Sequence, residues 1–464
     1  MAGIGFALRR LTRSEQLSTR LTGLAQAGLA SSGPWLFTCA ALVVIAMFGR
    51  QFASRDALRQ FSVLVTYNFS MSLVGTGPIV FVTTRMAGNR LYAGEHHALA
   101  PIFLGSLAWV FGLMAIVGGV LYGYVLELSL PERLLSYAGL LLTGGIWLVT
   151  PVVSSLHSYR VISVAFLTGM LTACATAVFA AKHWGLAGLL AGLTLGLAII
   201  FFLLASRVMA LTATQAEQAR SWTADFAGFR RLALIGLILN AGLWADKWVM
   251  WFAPGAEQIG PHLYVHASYE GAMFLAYLST VPGLSWLMIE VETRFFEAYQ
   301  DFYRRIAGHA TLDDIVTHQQ RIVRILISGL RRIALLQGVL CACALLLAPA
   351  IVAAAGGGAE MVPILRYGFF GALFHILLIA AMTVLAYFDL QPELLRVTSV
   401  FLALNVALTA LFSSLGAEFH GYGYSLAAMI SFMLAYHQLV TRVLRLPYLT
   451  FVANNPALQP RKND

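Results

Sequence analysis

Apolar residues in this chain gather into runs of about twenty, and a run of that length limits what a polypeptide can become. A helix rises about 1.5 Å per residue, so about 20 residues cross the ~30 Å of hydrocarbon in a bilayer. Runs of this kind lie at Thr22 to Phe48, Phe61 to Thr84, Pro101 to Leu126, Leu135 to Leu156, Val161 to Ala181 and Gly185 to Ala205. The second half repeats the pattern at Leu232 to Phe252, Gly271 to Ile289, Ile333 to Ala355, Val362 to Phe388, Val397 to Leu415 and Tyr422 to Val443. Only 11% of the 464 residues are charged, against about 25% in soluble domains, so the apolar surface has no polar majority to hide beneath. The sequence predicts an all-α polytopic membrane protein of about 12 transmembrane helices.

The formal charge of +9 would point a soluble protein toward nucleic acid. In a membrane protein its placement carries the information, and no nucleic-acid partner is expected. With the N-terminus inside, about 23 of the 30 basic residues fall on cytoplasmic segments, as the positive-inside rule requires. The even number of spans returns Arg442, Arg445, Arg461 and Lys462 to the same side, so both termini are expected in the cytoplasm. Arg50, Arg55 and Arg59 run against this, since they fall on the opposite side. Met1 to Arg20 lacks a compact apolar run with a cleavage site and is expected to be retained. Cys39, Cys174, Cys341 and Cys343 all sit in apolar runs and read as small buried residues, with no metal site or disulfide framework.

Two polar segments interrupt the pattern. The first, Arg207 to Arg231, divides the chain into an N-terminal six-helix half at 1–206, a cytoplasmic linker at 207–231 and a C-terminal half at 232–464. The second, Glu290 to Arg332, places Phe295, Tyr299, Phe302 and Ile306 on one helical side, with Glu290/Arg294 and Asp301/Arg305 as i,i+4 charge pairs. It predicts an amphipathic helix at about 290–332, continuing the eighth span along the cytoplasmic surface as a connector or a docking face. Gly5, Phe6, Arg9 and Arg10 before the first span match Gly228, Phe229, Arg230 and Arg231 before the seventh, as an internal repeat would.

Ionisable groups in lipid cost several kcal/mol unless paired or wetted, so each invites a role. Asp246 lies about 15 residues, or roughly 22 Å, beyond Arg231 in the seventh span. Asn240, Trp244, Trp248 and Trp251 form one stripe there, bordered by Lys247. Flat aromatic faces beside hydrogen-bonding groups suit sugars, and Asp246 would meet the charge of an amino sugar; an interfacial aromatic belt is the alternative for the tryptophans. In the second span, Asn68 and Arg85 are candidates for the same path, with Arg85 either meeting an anion or anchoring the interface. Glu270 opens the eighth span beside His262, Tyr264, His266 and Tyr269, on the path or in a solvated loop. Arg366 and His375 in the tenth span are candidate partners for acids. Gly33 and Pro34, Gly77 and Pro78, and Pro282 and Gly283 are candidate hinges, or kinks that serve packing alone.

Enzyme signatures are lacking: there is no Walker loop, HExxH, nucleophile elbow or paired acidic motif. No cofactor is expected, and transport would draw on an ion gradient, a partner or polymer pushed from behind. Met1-Ala2-Gly3-Ile4-Gly5-Phe6 with Arg9 and Arg10, Ser31-Ser32-Gly33-Pro34-Trp35, Thr76-Gly77-Pro78 with Arg85, and Asp246-Lys247-Trp248 resemble the PelG family of Pel exopolysaccharide transporters. The resemblance continues through Ala272-Met273-Phe274-Leu275-Ala276-Tyr277, Val291-Glu292-Thr293 with Phe295-Phe296, and His309-Ala310-Thr311-Leu312. It implies a fold of the multidrug/oligosaccharidyl-lipid/polysaccharide flippase superfamily, two six-helix bundles around a central cavity. It implies inner-membrane translocation of a cationic amino-sugar exopolysaccharide for the biofilm matrix. The implied partners, besides polysaccharide and membrane lipid, are a cyclic-di-GMP receptor protein and a cytosolic glycosyltransferase. It carries over no substrate-binding residues. Alternatives are a lipid-linked oligosaccharide flippase, or a membrane scaffold that recruits the synthase through residues 290–332.

Overall fold

The computed structural model describes residues 17–212, 226–448 and 451. The N-terminal residues 1–16, most of the linker (213–225) and the last basic residues, Arg461 and Lys462, lie outside the described residues. Helices dominate, and eleven of them among the described residues are long and apolar enough to cross a membrane. The chain is a multi-pass membrane protein.

Five covalently successive elements open the fold: α1 (Leu17–Gly49), α2 (Arg55–Tyr92), α3 (Leu99–Val120), α4 (Leu130–Ser155) and a long element Tyr159–Thr212. The long element is two helices, α5 (159–184) and α6 (186–212), because Gly185 leaves helical space with φ 51° and ψ −123°. It accounts for the difference between eleven helices and twelve predicted spans. The two halves press together along Gly188, Gly192 and Gly196: a Cβ on Gly192 would stand 2.2 Å from the Ala177 nitrogen, and one on Gly196 2.4 Å from the Gly169 oxygen. Small residues every four positions let two helices meet backbone to backbone, which is how helices associate where lipid removes the hydrophobic drive.

α7 (Arg230–Met250) leads to a two-stranded hairpin, Glu257–Gln258 against Tyr264–Val265, and then to α8 (Ala267–Leu278). α9 (Val281–Glu290) passes through a π-helical turn, Val291–Phe295, into α10 (Phe296–Ala307). α11 (Leu312–Ala354), α12 (Met361–Tyr387), α13 (Gln391–Leu415) and α14 (Tyr422–Leu444) complete the chain. Caps fix several starts. Ser54 accepts from the Ala57 N–H at 3.1 Å before α2, and the Ser129 N–H donates to the Glu132 carboxylate at 3.0 Å before α4.

Two boundaries, and the burial of the cysteines, depart from the sequence reading. The eighth span breaks at Ser279 and Thr280, ahead of Pro282, so α8 and α9 are separate helices. The predicted single helix over 290–332 is instead the end of α9 with its π-helical turn, α10, a reversal, and nearly the first six turns of α11. Gly308 closes α10, His309 takes a positive φ of 55°, and the Thr311 hydroxyl caps α11 by accepting from the Asp314 N–H at 3.4 Å. Once the chain reverses there, the predicted pairs give way to contacts across the hairpin. Glu290 meets Arg332 at 2.6 Å, Arg305 meets Asp314 at 2.6 Å and Asp301 meets Arg321 at 3.4 Å, while within α10 Asp301 also meets Arg304 at 3.3 Å. The cysteines are free thiols, but only Cys341 is buried, and Cys343 lies on an exposed helix face.

Compactness groups residues 32–270 with 413–417 in one unit, and residues 271–412 and those from 418 onward in another. These units follow packing, whereas the six-plus-six division follows covalent order, and α7 packs with the helices that precede it. In the first unit the core is built by α2 to α6, around Leu64, Val110, Leu140, Val149, Leu189 and Ile200. In the second unit α12 packs along α14 and α11. There Gln319 of α11 donates to the last carbonyls of α14, Val443 at 2.9 Å and Leu444 at 2.7 Å.

Candidate functional site

α2 and α7 cross where both carry glycine. A Cβ on Gly77 would lie 2.7 Å from the Gly236 oxygen, and one on Gly236 2.6 Å from the Gly77 oxygen. That approach puts Tyr67, Ser70, Leu73 and Gly77 of α2, spaced three or four apart, against the predicted stripe of α7. Asn240 donates to the Leu73 carbonyl at 3.1 Å and Trp248 donates its indole N–H to the Ser70 hydroxyl at 2.8 Å. Trp251 stacks on Tyr67, with ring centroids 4.3 Å apart and planes 5° from parallel. The stripe therefore exists as geometry, and it faces a neighbouring helix. One ring face of Trp251 that a sugar would use is covered by Tyr67.

Asp246 sits off the stripe and is fully buried. Its carboxylate accepts from Lys247 Nζ at 2.9 and 3.1 Å and from the Tyr269 hydroxyl at 2.9 Å. Lys247, 9% exposed, also donates to the Leu243 carbonyl at 3.3 Å and stands 5.9 Å from the centroid of the half-buried Trp244 ring. A charge pair this deep is held by hydrogen bonds on both members, the condition under which burial of ions is tolerated. Glu270 enters the same region by accepting from the Trp251 indole at 2.6 Å.

The hairpin between α7 and α8 closes this end. Tyr67 donates its hydroxyl to the Tyr264 carbonyl and accepts from the Tyr264 N–H, both at 3.1 Å. His266, buried at the start of α8, accepts from the Tyr269 N–H on Nδ1 at 3.3 Å. Burial pushes its pKa below the ordinary imidazole value, against weaker opposing effects from backbone hydrogen bonds and Glu257. Arg59, one of the arginines that strained the topology, pairs with Glu257 of the hairpin at 3.3 Å.

Of the candidate path residues, Trp244, Asp246, Lys247, Trp248 and Glu270 are thus drawn together at one end of α7, and Asn240 sits at its middle against Leu73. Asn68 is not among them. It donates to the Ser136 carbonyl at 3.0 Å and accepts from the Tyr122 hydroxyl, so it ties α2 to α4 and to the turn after α3. Arg85 is 18 residues beyond Tyr67 on the same helix, about 27 Å away, half-buried at the far end. Among the hinge candidates, Gly77 is held in the α2–α7 crossing. Pro34 and Pro78 lie inside continuous helices, with the Thr38 hydroxyl donating to the Pro34 carbonyl at 2.9 Å. Pro282 opens α9, and a Cβ on Gly283 would stand 2.8 Å from Gln337 Oε1. Sequence reasoning missed Ser70 and the roles of Tyr67 and Tyr269; the aromatic cluster around Glu270 was the available signal.

Residues 1–451 match the family model of PelG, exopolysaccharide exporter (EPS-E). A search of curated proteins finds no match. Among solved structures, a MOP superfamily transporter from Pyrococcus furiosus Vc1 is 12% identical over 96% of this chain and 97% of its own, with a TM-score of 0.65. A MATE transporter in its bent conformation is 12% identical over 97% and 98%, with a TM-score of 0.64. An inward-facing multidrug-resistance MATE transporter of the MOP superfamily is 12% identical over 96% and 98%, with a TM-score of 0.61. At these identities the likeness is one of fold, and the fold is that of membrane transporters.

Proposed function

Since the chain belongs to the PelG family of exopolysaccharide exporters, we propose that it translocates a cationic amino-sugar polymer across the bacterial inner membrane for the biofilm matrix. The family match over residues 1–451 carries the transport reading. The α7 end supports the cationic cargo. Asp246 already holds one ammonium group, that of Lys247, at 2.9 Å. Lys247 is then an internal stand-in for the amino group of a sugar, and a cargo ammonium that reaches Asp246 takes its place. Half-buried Trp244 and Trp248 lie beside it with apolar faces suited to the C–H side of a pyranose. Because the carboxylate is closed off here, engagement requires the Lys247 side chain to swing aside.

Both termini are assigned to the cytoplasm, by the positive-inside distribution of Lys and Arg. A cytosolic glycosyltransferase and a cyclic-di-GMP receptor protein are the partners this reading calls for. Asn68 and Arg85 remain assigned to the path only if the cargo also passes the far face and far end of α2.

The test is secretion by cells lacking this chain. Polymer synthesis in membranes with no polymer outside is the expected phenotype, and normal secretion refutes the reading. A block of polyprenyl-phosphate synthesis separates the flippase alternative: it leaves export of a free polymer intact and stops that of a lipid-linked one.

A further inference from the structure

The second unit has a polar interior that the α7 cluster does not use. On α14, Tyr424, Ser431 and Gln438 are spaced seven apart, so they lie on one face over about 21 Å, with Ala427, Ala428 and Ala435 buried between them. Ser431 is 0% exposed and Gln438 6% exposed. The Ser431 hydroxyl and both ends of the Gln438 amide have no hydrogen-bond partner among the described residues. Buried Thr398, by contrast, donates its hydroxyl to the Leu394 carbonyl of its own helix at 2.9 Å. Gln337 of α11, 0% exposed, uses its amide N–H on the Ser279 carbonyl at 3.0 Å, and its Oε1 is likewise unpartnered.

This face meets α12 at His375. His375 is 14 residues from the start of α12 and 12 from its end, near the middle of a span, and 4% exposed. Aromatic rings surround it: Tyr277 of α8 at 5.7 Å, Phe401 of α13 at 5.9 Å and Tyr424 of α14 at 6.0 Å between centroids. Tyr424 packs on Gly371, one turn from His375, where a Cβ would come within 2.5 Å of the ring. Of these ring neighbours, Tyr277 and Tyr424 are titratable. α11 contributes neutral Gln337 to the same interior, and α9 presents Gly283 beside Ile376. The acids Glu290 and Glu393 are engaged with Arg332 and Arg442.

We propose that water enters the second unit along the Gln438–Ser431–Tyr424 face of α14, from the end bearing Arg442 and Arg445, and makes His375 a proton-binding site at mid-membrane. Water is the ligand that meets unpartnered hydroxyl and amide groups spaced along one face of a helix. An imidazole reached by that water can take up a proton. In a transporter with no nucleotide motif, such a site is where a proton gradient would act. That use rests on the transport reading, whereas the site itself does not.

The test uses the full chain in nanodiscs, with Cys39, Cys174, Cys341 and Cys343 replaced by alanine and single cysteines introduced in turn as Ser431→Cys, Gln438→Cys and Met433→Cys. The probe is 2-aminoethyl methanethiosulfonate. Ser431→Cys and Gln438→Cys are expected to react at least about tenfold faster than Met433→Cys, whose position is 55% exposed on the outer face of α14, because only a hydrated thiol ionises to the reactive thiolate. Equal, slow reaction at Ser431→Cys and Met433→Cys overturns the proposal. The second readout is nitrogen NMR of the histidine-labelled chain: the imidazole signal absent from His375→Gln should titrate between about pH 5 and 8. A signal that stays neutral throughout overturns it as well. Neither measurement involves cargo, so failure here leaves the transport reading standing.

Discussion

Asp246, Lys247 and Tyr269 form a unit whose members depend on one another. Removing one member of a buried ion pair costs about 3–5 kcal/mol, because the other charge is left unpaired. Asp246→Asn and Lys247→Gln should each lower the thermal midpoint of the purified protein markedly, and the double variant should recover much of that loss. Additive losses in a double-mutant cycle would contradict the pairing. His266 makes a pH prediction with a definite sign. Its pKa is depressed in the fold by burial, and its Nδ1 must be unprotonated to accept the Tyr269 N–H. The stabilisation is therefore complete above the unfolded value of about 6.5 and is lost as pH falls through the lower folded value. His266→Asn caps without titrating, so stability measured from pH 7 down to 5 should flatten in that variant; an unchanged slope would count against this role. Asp246 is legible in the sequence because an acid at that depth stands out. Tyr269 is not, since its hydroxyl meets Asp246 across 23 residues that include a hairpin.

Close helix contacts decide which glycines matter. A Cβ on Gly192 meets backbone atoms of Ala177 that cannot move aside, whereas one on Gly112 of α3 meets nothing within 4 Å. Gly192→Ala is expected to destabilise by about 1–3 kcal/mol through overpacking, and Gly112→Ala to be neutral or to stabilise by up to about 1 kcal/mol through helix propensity. Similar unfolding midpoints for the two would refute the backbone contact. Gly77 behaves like Gly192, since α2 and α7 meet through it. The apolar runs made these helices readable in sequence, but their boundaries were set by local chemistry. Gly308, His309 and Thr311 reversed the chain where the i,i+4 charges suggested one continuous helix, because charge pairs across a hairpin satisfy the same side chains. Thr311→Ala should cost about 1 kcal/mol through loss of the α11 cap, read as weaker amide-exchange protection over residues 312–315.

For the molecule as a whole, composition alone required many spans, and the family marks supplied the cargo class that no composition could. Orientation is the point at which the two meet: the proposed topology puts Arg207, Arg230 and Arg231 on the cytoplasmic side, and the hairpin at 257–265 with Arg59 on the other. In that topology the pairing of Glu257 with Arg59 at 3.3 Å meets the charge of one of the three arginines that run against the positive-inside pattern. The proposed export of a cationic polymer asks most of the α7 end, where an acid, its paired ammonium and tryptophan rings coincide. The most direct measurement is polymer secretion by cells carrying Asp246→Asn together with Lys247→Gln, with membrane level and synthase activity followed in parallel. Lost secretion at normal protein level and normal synthesis is the expected result. Normal secretion under the same conditions would contradict it and make the α7 cluster a packing device at the membrane interface.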